Sequence, residues 1–229
     1  MHSLRIPFPV PPWRALLSEL RIDVKLHPPD VEKELAGLYQ RLSRPGDAFY
    51  RLPVICMHFH GLVMRYRVAD GEHYVYVEDV ARRRLAGYVV FNRLIELDRR
   101  ADPHLRAPHA RFSADYQRRG LATAIYRWWL EAGNTLISGA RQSAGAHALW
   151  RSLSRHYELF HVDLRDKRLR YLGYTVNERT RRDLHTRIVL LGREWDRERL
   201  AEHAGMLIEP GPGADVSPVP LSRRVSRLF

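Results

Sequence analysis

The segment from Arg111 to Gly133 limits the possible folds more than any other, because its pattern changes from strand to buried helix within a few residues. After Gly120, small and apolar residues recur at positions 122, 125, 129 and 132, which is helical spacing. Few strongly polar side chains interrupt this run, so the helix is expected to be buried on most sides. Glycine and asparagine at 133–134 tolerate the left-handed conformation that ends a helix. The segment therefore predicts a strand, a turn and a core helix.

The turn, Gln117–Ala122 with the sequence QRRGLA, has the chemistry of an anion site. A helix that begins after a glycine leaves its first backbone N–H groups unpaired, and the helix dipole adds partial positive charge there. Such N–H groups can bind one phosphate together, and the guanidinium groups of Arg118 and Arg119 add charge at the same point. The turn is therefore predicted to bind a phosphate-bearing ligand.

The same six residues resemble the [Gln/Arg]-x-x-Gly-x-[Gly/Ala] signature of the GNAT superfamily of acyl-CoA-dependent N-acyltransferases. The resemblance implies that the backbone amides of this turn hold the pyrophosphate of acetyl-CoA, the co-substrate. It also implies that a backbone N–H on the preceding strand binds the thioester carbonyl. The expected cofactor-binding residues are Phe112, Ser113, Ala114, Gln117, Arg118, Arg119, Gly120, Leu121 and Ala122, with Ser143 and Trp150 from a later helix.

That later helix, predicted at residues 146–157, resembles the second half of the GNAT pattern with changes. The family often has Asn-x-x-Ala-x-x-x-Tyr; here Ser143 replaces the asparagine, Ala146 matches, and Trp150 replaces the tyrosine. The family tyrosine can give a proton to the departing thiolate, whereas an indole N–H cannot serve as that acid. Tyr157 is a candidate replacement, although an ordinary amphipathic aromatic residue at a helix end is the preferred explanation. Residues 138–150 also resemble a divergent, phage-associated branch of the superfamily.

The other segments predict an α/β fold with a mixed, largely antiparallel central sheet flanked by helices, which the GNAT resemblance also implies. Residues 1–20 are predicted to be a proline-rich arm, 21–204 the GNAT-like acyltransferase domain, and 205–229 a flexible basic tail. Strands are predicted at 21–26, 54–68, 73–80, 85–94, 135–138, 158–162 and 168–176, a helix at 31–42, an apolar run at 185–191, and a loop at 99–109.

Composition leaves the partner open. The net charge is +12, and all but three of the 38 basic residues are arginine, which attracts an acidic substrate, an RNA or the phosphates of the cofactor. The arginines are scattered along the chain, so charge alone does not choose among these. Cys56 is the single cysteine and lies in an apolar run, where we expect it to be buried. With no apolar run of membrane length, the sequence predicts a cytoplasmic protein without membrane contact, and it is compatible with a homodimer.

For the general base the sequence favours Glu96, then Glu78 and Asp98, which follow or end predicted strands. His58 and His60 share a strand face, but no third ligand follows at a diagnostic spacing, so no metal site is expected. The predicted function is transfer of an acetyl or other acyl group from acetyl-CoA to an unidentified amine by direct attack. The alternatives are a catalytically weak acyl-CoA-binding or nucleic-acid-binding protein on the same fold, and an acetyltransferase acting on an RNA-linked amine.

Overall fold

A computed structural model describes residues 28–209, and the predicted arm, the predicted strand at 21–26 and most of the predicted tail lie outside them. No helix of residues 28–209 has both the length and the apolar character that crossing a membrane requires. The helices are α1 (Pro28–Ser43), α2 (Leu121–Glu131), α3 (Ala144–Leu153), α4 (Glu178–Arg182) and α5 (Arg197–Ala204). The strands are β1 (Leu62–Ala69), β2 (Glu72–Asp79), β3 (Arg84–Asn92), β4 (Leu105–Phe112), β5 (Thr135–Ile137), β6 (Leu159–Arg165), β7 (Arg168–Gly173) and β8 (Thr186–Leu190).

These strands form one eight-stranded sheet in the order β1-β2-β3-β4-β5-β8-β6-β7. Every neighbouring pair is antiparallel except β4 and β5, which run parallel. A parallel pair needs a crossover connection, and α2 supplies it. The predicted fold class, a mixed and largely antiparallel sheet flanked by helices, is confirmed.

Alternation along the strands separates two cores on opposite faces of the sheet. Helix α1 packs on one face of the sheet and α2 on the other. Both odd and even positions of β2 and β3 are therefore buried, and these strands have continuous apolar sequences. The α1 face includes Tyr74, Tyr76, Tyr88 and Val90; the α2 face includes Val75, Val77, Val89, Phe91, Ile125 and Trp129.

The predicted strand at 54–68 is wrong in its first half. Gly61 has φ 74°, so the chain turns there, and residues 54–59 fold back along β1 through isolated bridges such as Val54 with Arg65. Side chains still alternate in this segment: Ile55, Met57 and Phe59 pack on the core. The intervening Cys56, His58 and His60 are exposed, so the expected burial of Cys56 is also wrong.

Two further boundaries differ from the prediction. The loop predicted at 99–109 is wrong beyond residue 104, because β4 begins at Leu105 and pairs with β3 despite Pro108. Pro108 is tolerated because its missing N–H falls on the edge of β4 that faces away from β3. Residues 205–209, assigned to the tail from sequence, contact the domain: Met206 is buried and Leu207 donates its N–H to the carbonyl of Leu169 on β7.

Candidate active site

The candidate site begins where β4 and β5 separate. The two strands pair only at Leu105 with Thr135 and at Arg106 with Leu136. Beyond that point β5 ends at Ile137, while β4 continues to Phe112 with only β3 beside it among residues 28–209. Residues 107–112 therefore carry one unpaired backbone edge inside the sheet, where a ligand with amide groups could add hydrogen bonds.

The register shows which backbone groups face this free edge. The Ser113 N–H donates to the Ala86 carbonyl at 3.0 Å, so the ladder with β3 uses residue 113 and alternate residues before it. The N–H groups of Ala110 and Phe112 then point away from β3. A hydrogen bond from Gln117 supports this orientation: its Nε2 donates to the Phe112 carbonyl at 3.0 Å, on the side of β4 that faces away from β3. Of the predicted donors at 112–114, Phe112 faces the free edge and Ser113 is already bonded.

The turn that follows leaves the start of α2 open. Gly120 has φ 78° and no side-chain cap, and the first intrahelical bond is from the Ala124 N–H to the Gly120 carbonyl at 2.9 Å. The N–H groups of residues 121–123 thus lack intrahelical partners. Arg118 also has a positive φ of 57°, so the chain bends sharply on both sides of Arg119. The turn therefore has open backbone N–H groups at the helix start, and anion binding by them stays a prediction.

A cleft of about 1160 Å³ joins the free edge of β4 to this helix start. Its far wall is the 138–143 loop and α3. Most of the predicted site residues line it, and the structure brings these together: Glu96, Phe112, Gln117, Arg118, Gly120, Leu121, Ala122, Ser143 and Trp150. Ser113, Ala114, Arg119 and Tyr157 do not line it.

The cleft also contains polar groups that the sequence did not single out. Nε2 of His109 and Nε2 of Gln142 are buried without a hydrogen-bond partner in the described part of the chain. Burial, and then the charge of Arg111, lowers the pKa of His109 to about 4, so its imidazole is neutral at pH 7. Tyr126 of α2 belongs to the core cluster and also lines the cleft, and its hydroxyl has no hydrogen-bond partner in the described part of the chain. Unpaired buried polar atoms at a cleft are the sites that a ligand satisfies.

A network of charged and phenolic groups anchors the turn to the β2–β3 hairpin. Tyr116, buried, donates its hydroxyl to Asp79 at 2.6 Å and accepts from Arg82 and Arg84, both at 3.2 Å. Arg84 also pairs with Asp115 at 2.7 Å. The residues just before the glycine turn are therefore held at a fixed position relative to the sheet.

Tyr116→Phe is expected to lower the free energy of unfolding at pH 7 by about 2 kcal/mol, since it removes a hydrogen bond to a charged, mostly buried group. The Tyr116 hydroxyl, followed by the Arg82 N–H, lowers the pKa of Asp79 below its usual value. A carboxyl with a depressed folded-state pKa stabilises above its unfolded pKa and loses that contribution as the pH falls through the folded value. Urea unfolding between pH 7 and pH 3 should therefore show a steeper loss for the wild type than for the variant; parallel curves would contradict this role.

The candidate bases have structural partners. Glu96 lines the cleft, but its Oε2 accepts from Nη2 of Arg187 at 2.8 Å, and the Arg187 side chain is 2% exposed. Glu78 pairs with Arg65 at 2.5 Å and does not line the cleft. Asp98 lines it and accepts the N–H groups of Arg100 and Ala101. Within residues 28–209, no three His, Cys, Asp or Glu side chains come close enough together to hold a metal ion.

The residues around α3 lie as follows. Helix α3 begins at Ala144, two residues earlier than predicted, because Ser143 caps it by accepting the Ala146 N–H at 3.2 Å. It ends at Leu153, so Tyr157 lies beyond it, and the Tyr157 hydroxyl donates to Glu131 at 2.6 Å on the outside of α2. Trp150 is 3% exposed and forms part of the cleft wall. Of the two aromatic residues, only Trp150 reaches the cleft.

Comparison with known proteins gives similarity only at the level of solved structures. No family model and no curated protein matches the chain. A GNAT superfamily phosphinothricin acetyltransferase from Sinorhizobium meliloti in complex with AcCoA is 20% identical, over 53% of this chain and 62% of that one, less than two thirds of its length, with a TM-score of 0.34. A chimera of spermidine N-acetyltransferase SpeG from Vibrio cholerae and hSSAT is 14% identical over 72% of this chain and 92% of that one, with a TM-score of 0.33. A ribosomal-protein-S5-alanine acetyltransferase from Vibrio fischeri is 12% identical over 75% of this chain and 92% of that one, with a TM-score of 0.33.

Proposed function

We propose that this protein is a GNAT-type N-acyltransferase that transfers an acetyl group from acetyl-CoA to an amine by direct attack. The observation that carries the proposal is the continuous path from the free edge of β4 to the open start of α2. One cleft thus offers backbone donors for amides and a thioester at one end and for phosphate at the other. Acetyl-CoA has these groups in the same order along its length.

The residues present suit such a co-substrate. The unpaired N–H groups of residues 121–123 would hold the pyrophosphate, with Arg118 and Arg141 supplying charge at the cleft wall. The outward N–H groups of Ala110 and Phe112 would bind the pantetheine arm and the thioester carbonyl, whose oxygen gains charge during attack. Gln117 would brace this edge through its bond to the Phe112 carbonyl.

The nucleophiles that line the cleft support direct attack rather than an acylated enzyme. The single cysteine, Cys56, does not line the cleft. Ser138 and Ser143 line it and are engaged: Ser138 Oγ accepts the Ile188 N–H at 2.9 Å, and Ser143 Oγ accepts the Ala146 N–H. Ser152 and Thr123 also line it. Within residues 28–209, none of these four hydroxyl groups is hydrogen-bonded to a histidine that could activate it. An amine held against the carbonyl needs orientation and proton transfer, which this cleft can supply.

Gly120→Glu is the variant that tests the co-substrate site. A Cβ at this position meets nothing within 4 Å, so the new carboxylate enters open space at the proposed pyrophosphate site. We expect acetyl-CoA binding, measured by calorimetry, to weaken at least about tenfold, which is ~1.4 kcal/mol.

Gly120→Gln is the matched control. Both variants place an L-residue at φ 78° and share that backbone strain, so the difference between them isolates the charge. Equal affinity of Gly120→Glu and Gly120→Gln would show that no phosphate binds at this turn. A folded wild-type protein that does not bind acetyl-CoA at all would overturn the proposed function.

A further inference from the structure

Tyr126 is placed where the chemistry of the proposed cleft would need a proton donor. Its ring centroid lies 6.0 Å from that of Phe91, on the α2 face of β3. Phe91 pairs with Pro108, which puts Tyr126 at the level of the middle of β4. Ala110, whose N–H points outward from β4, lies two residues further along that strand. Tyr126 therefore faces the part of the cleft that would hold the thioester, and not the pyrophosphate end.

The hydroxyl of Tyr126 has no hydrogen-bond partner in the described part of the chain, although the residue is only 4% exposed. The hydroxyl oxygen is not fully sealed from solvent, and the residue lines the cleft. The hydroxyl therefore opens onto the cleft. A buried tyrosine hydroxyl usually finds a partner, so one that the protein leaves unpaired is available to a bound molecule.

The other aromatic residues do not provide this group. Trp150 forms the opposite wall, but an indole N–H does not act as an acid at neutral pH. Tyr157 lies outside the cleft and donates to Glu131. Tyr116 lines the cleft, but its hydroxyl is committed to Asp79 at 2.6 Å. Among the tyrosines that line the cleft, Tyr126 alone has an uncommitted hydroxyl in the described structure.

Resting on the proposed acyltransferase function, we propose that Tyr126 is the general acid that protonates the departing thiolate. The amine nitrogen forms the C–N bond with the carbonyl carbon as the C–S bond breaks. The thiolate sulfur takes the phenolic proton and leaves as free CoA thiol. The attacking nitrogen releases its extra proton to solvent, and the phenolate regains one from solvent, so the products are an N-acylated amine and CoA-SH.

The surroundings keep the phenol protonated until it is used. Burial among apolar core residues from β1, β2, β3, α2 and α3 raises the pKa of Tyr126, and no charged group contributes to that shift. The acid form is therefore present at neutral and mildly alkaline pH, where an amine is nucleophilic, and it is lost only as the pH rises through this raised pKa.

The test compares wild type, Tyr126→Phe and Tyr39→Phe, the last a tyrosine of α1 that packs on the opposite face of the sheet. Acetyl-CoA affinity is measured by calorimetry, and release of CoA thiol is measured with water, spermidine, lysine and glycinamide as acceptors. We expect Tyr126→Phe to bind acetyl-CoA within about threefold of wild type and to lose about 100-fold in kcat, the usual size of a general-acid effect. Tyr39→Phe should match wild type in both.

A chemical variant separates acid catalysis from packing. Fluorotyrosine at position 126 has a more acidic phenol with nearly the same shape, so the alkaline limb of the kcat profile should move to lower pH. Unchanged kcat in Tyr126→Phe, or an unmoved limb with fluorotyrosine, would overturn the role of Tyr126 and leave the acyltransferase proposal standing. A folded wild-type protein that does not bind acetyl-CoA would overturn both.

Discussion

Gly192→Ala is expected to lower the free energy of unfolding by about 3 kcal/mol, because a methyl group has no room at this position. A Cβ on Gly192 would overlap the carbonyl oxygen of Asn134 and would lie 2.7 Å and 2.9 Å from its carbonyl carbon and backbone nitrogen. All three atoms belong to the backbone between α2 and β5, so no side-chain rotation relieves the overlap. Chemical denaturation followed by circular dichroism measures the effect.

Gly37→Ala is the control for this prediction. Gly37 lies inside α1, and a Cβ there meets nothing within 4 Å. Alanine should stabilise the helix by up to about 1 kcal/mol, because glycine is the poorer helix former. Opposite signs for the two glycine-to-alanine changes would establish that close backbone packing, and not glycine content, determines the stability at Gly192. An unchanged free energy of unfolding in Gly192→Ala would mean that the backbone between α2 and β5 can move to make room for the methyl group.

Local features of this fold were predictable from the sequence because local signals specify them. The glycine before an apolar run predicted α2, which spans Leu121–Glu131, and the turn after Ala69 predicted the hairpin of β1 and β2. Gly61 shows the limit of this reasoning. The β-branched and aromatic run around this glycine predicts a continuous strand, but the positive φ of Gly61 reverses the chain.

The parts of the site that the sequence did not predict depend on contacts between distant segments. Glu96 was a reasonable base at the end of a strand, yet its partner Arg187 lies 91 residues away and is buried. The helical periodicity of α2 does not single out Tyr126, because periodicity shows burial but not whether a cleft passes the buried atom. The separation of β4 from β5 likewise follows from how short β5 is and from its pairing with β8 on the other side.

Gly87→Ala is expected to weaken both stability and acetyl-CoA binding, which links the packing of the sheet to the proposed chemistry. A Cβ on Gly87 would overlap the Phe112 ring and the Arg111 carbonyl oxygen, and would lie 2.8 Å from Cα of Phe112. β3 and β4 must separate there, at the residue whose N–H faces the cleft. We expect a loss of about 3 kcal/mol in the free energy of unfolding and weaker binding by the remaining folded protein.

Measuring both the free energy of unfolding and the acetyl-CoA affinity of Gly87→Ala separates the role of the β3–β4 contact in folding from its role in binding. Gly192→Ala is the comparison, because it disturbs the backbone between α2 and β5 without touching Phe112. If acetyl-CoA follows the edge of β4, Gly87→Ala should bind more weakly than Gly192→Ala after correction for the folded fraction, since only the former displaces the Phe112 donor. Equal affinities would show that the position of Phe112 is unimportant for binding. The glycine at 87 would then be needed for folding alone, and the pantetheine arm would have to be bound by another part of the cleft.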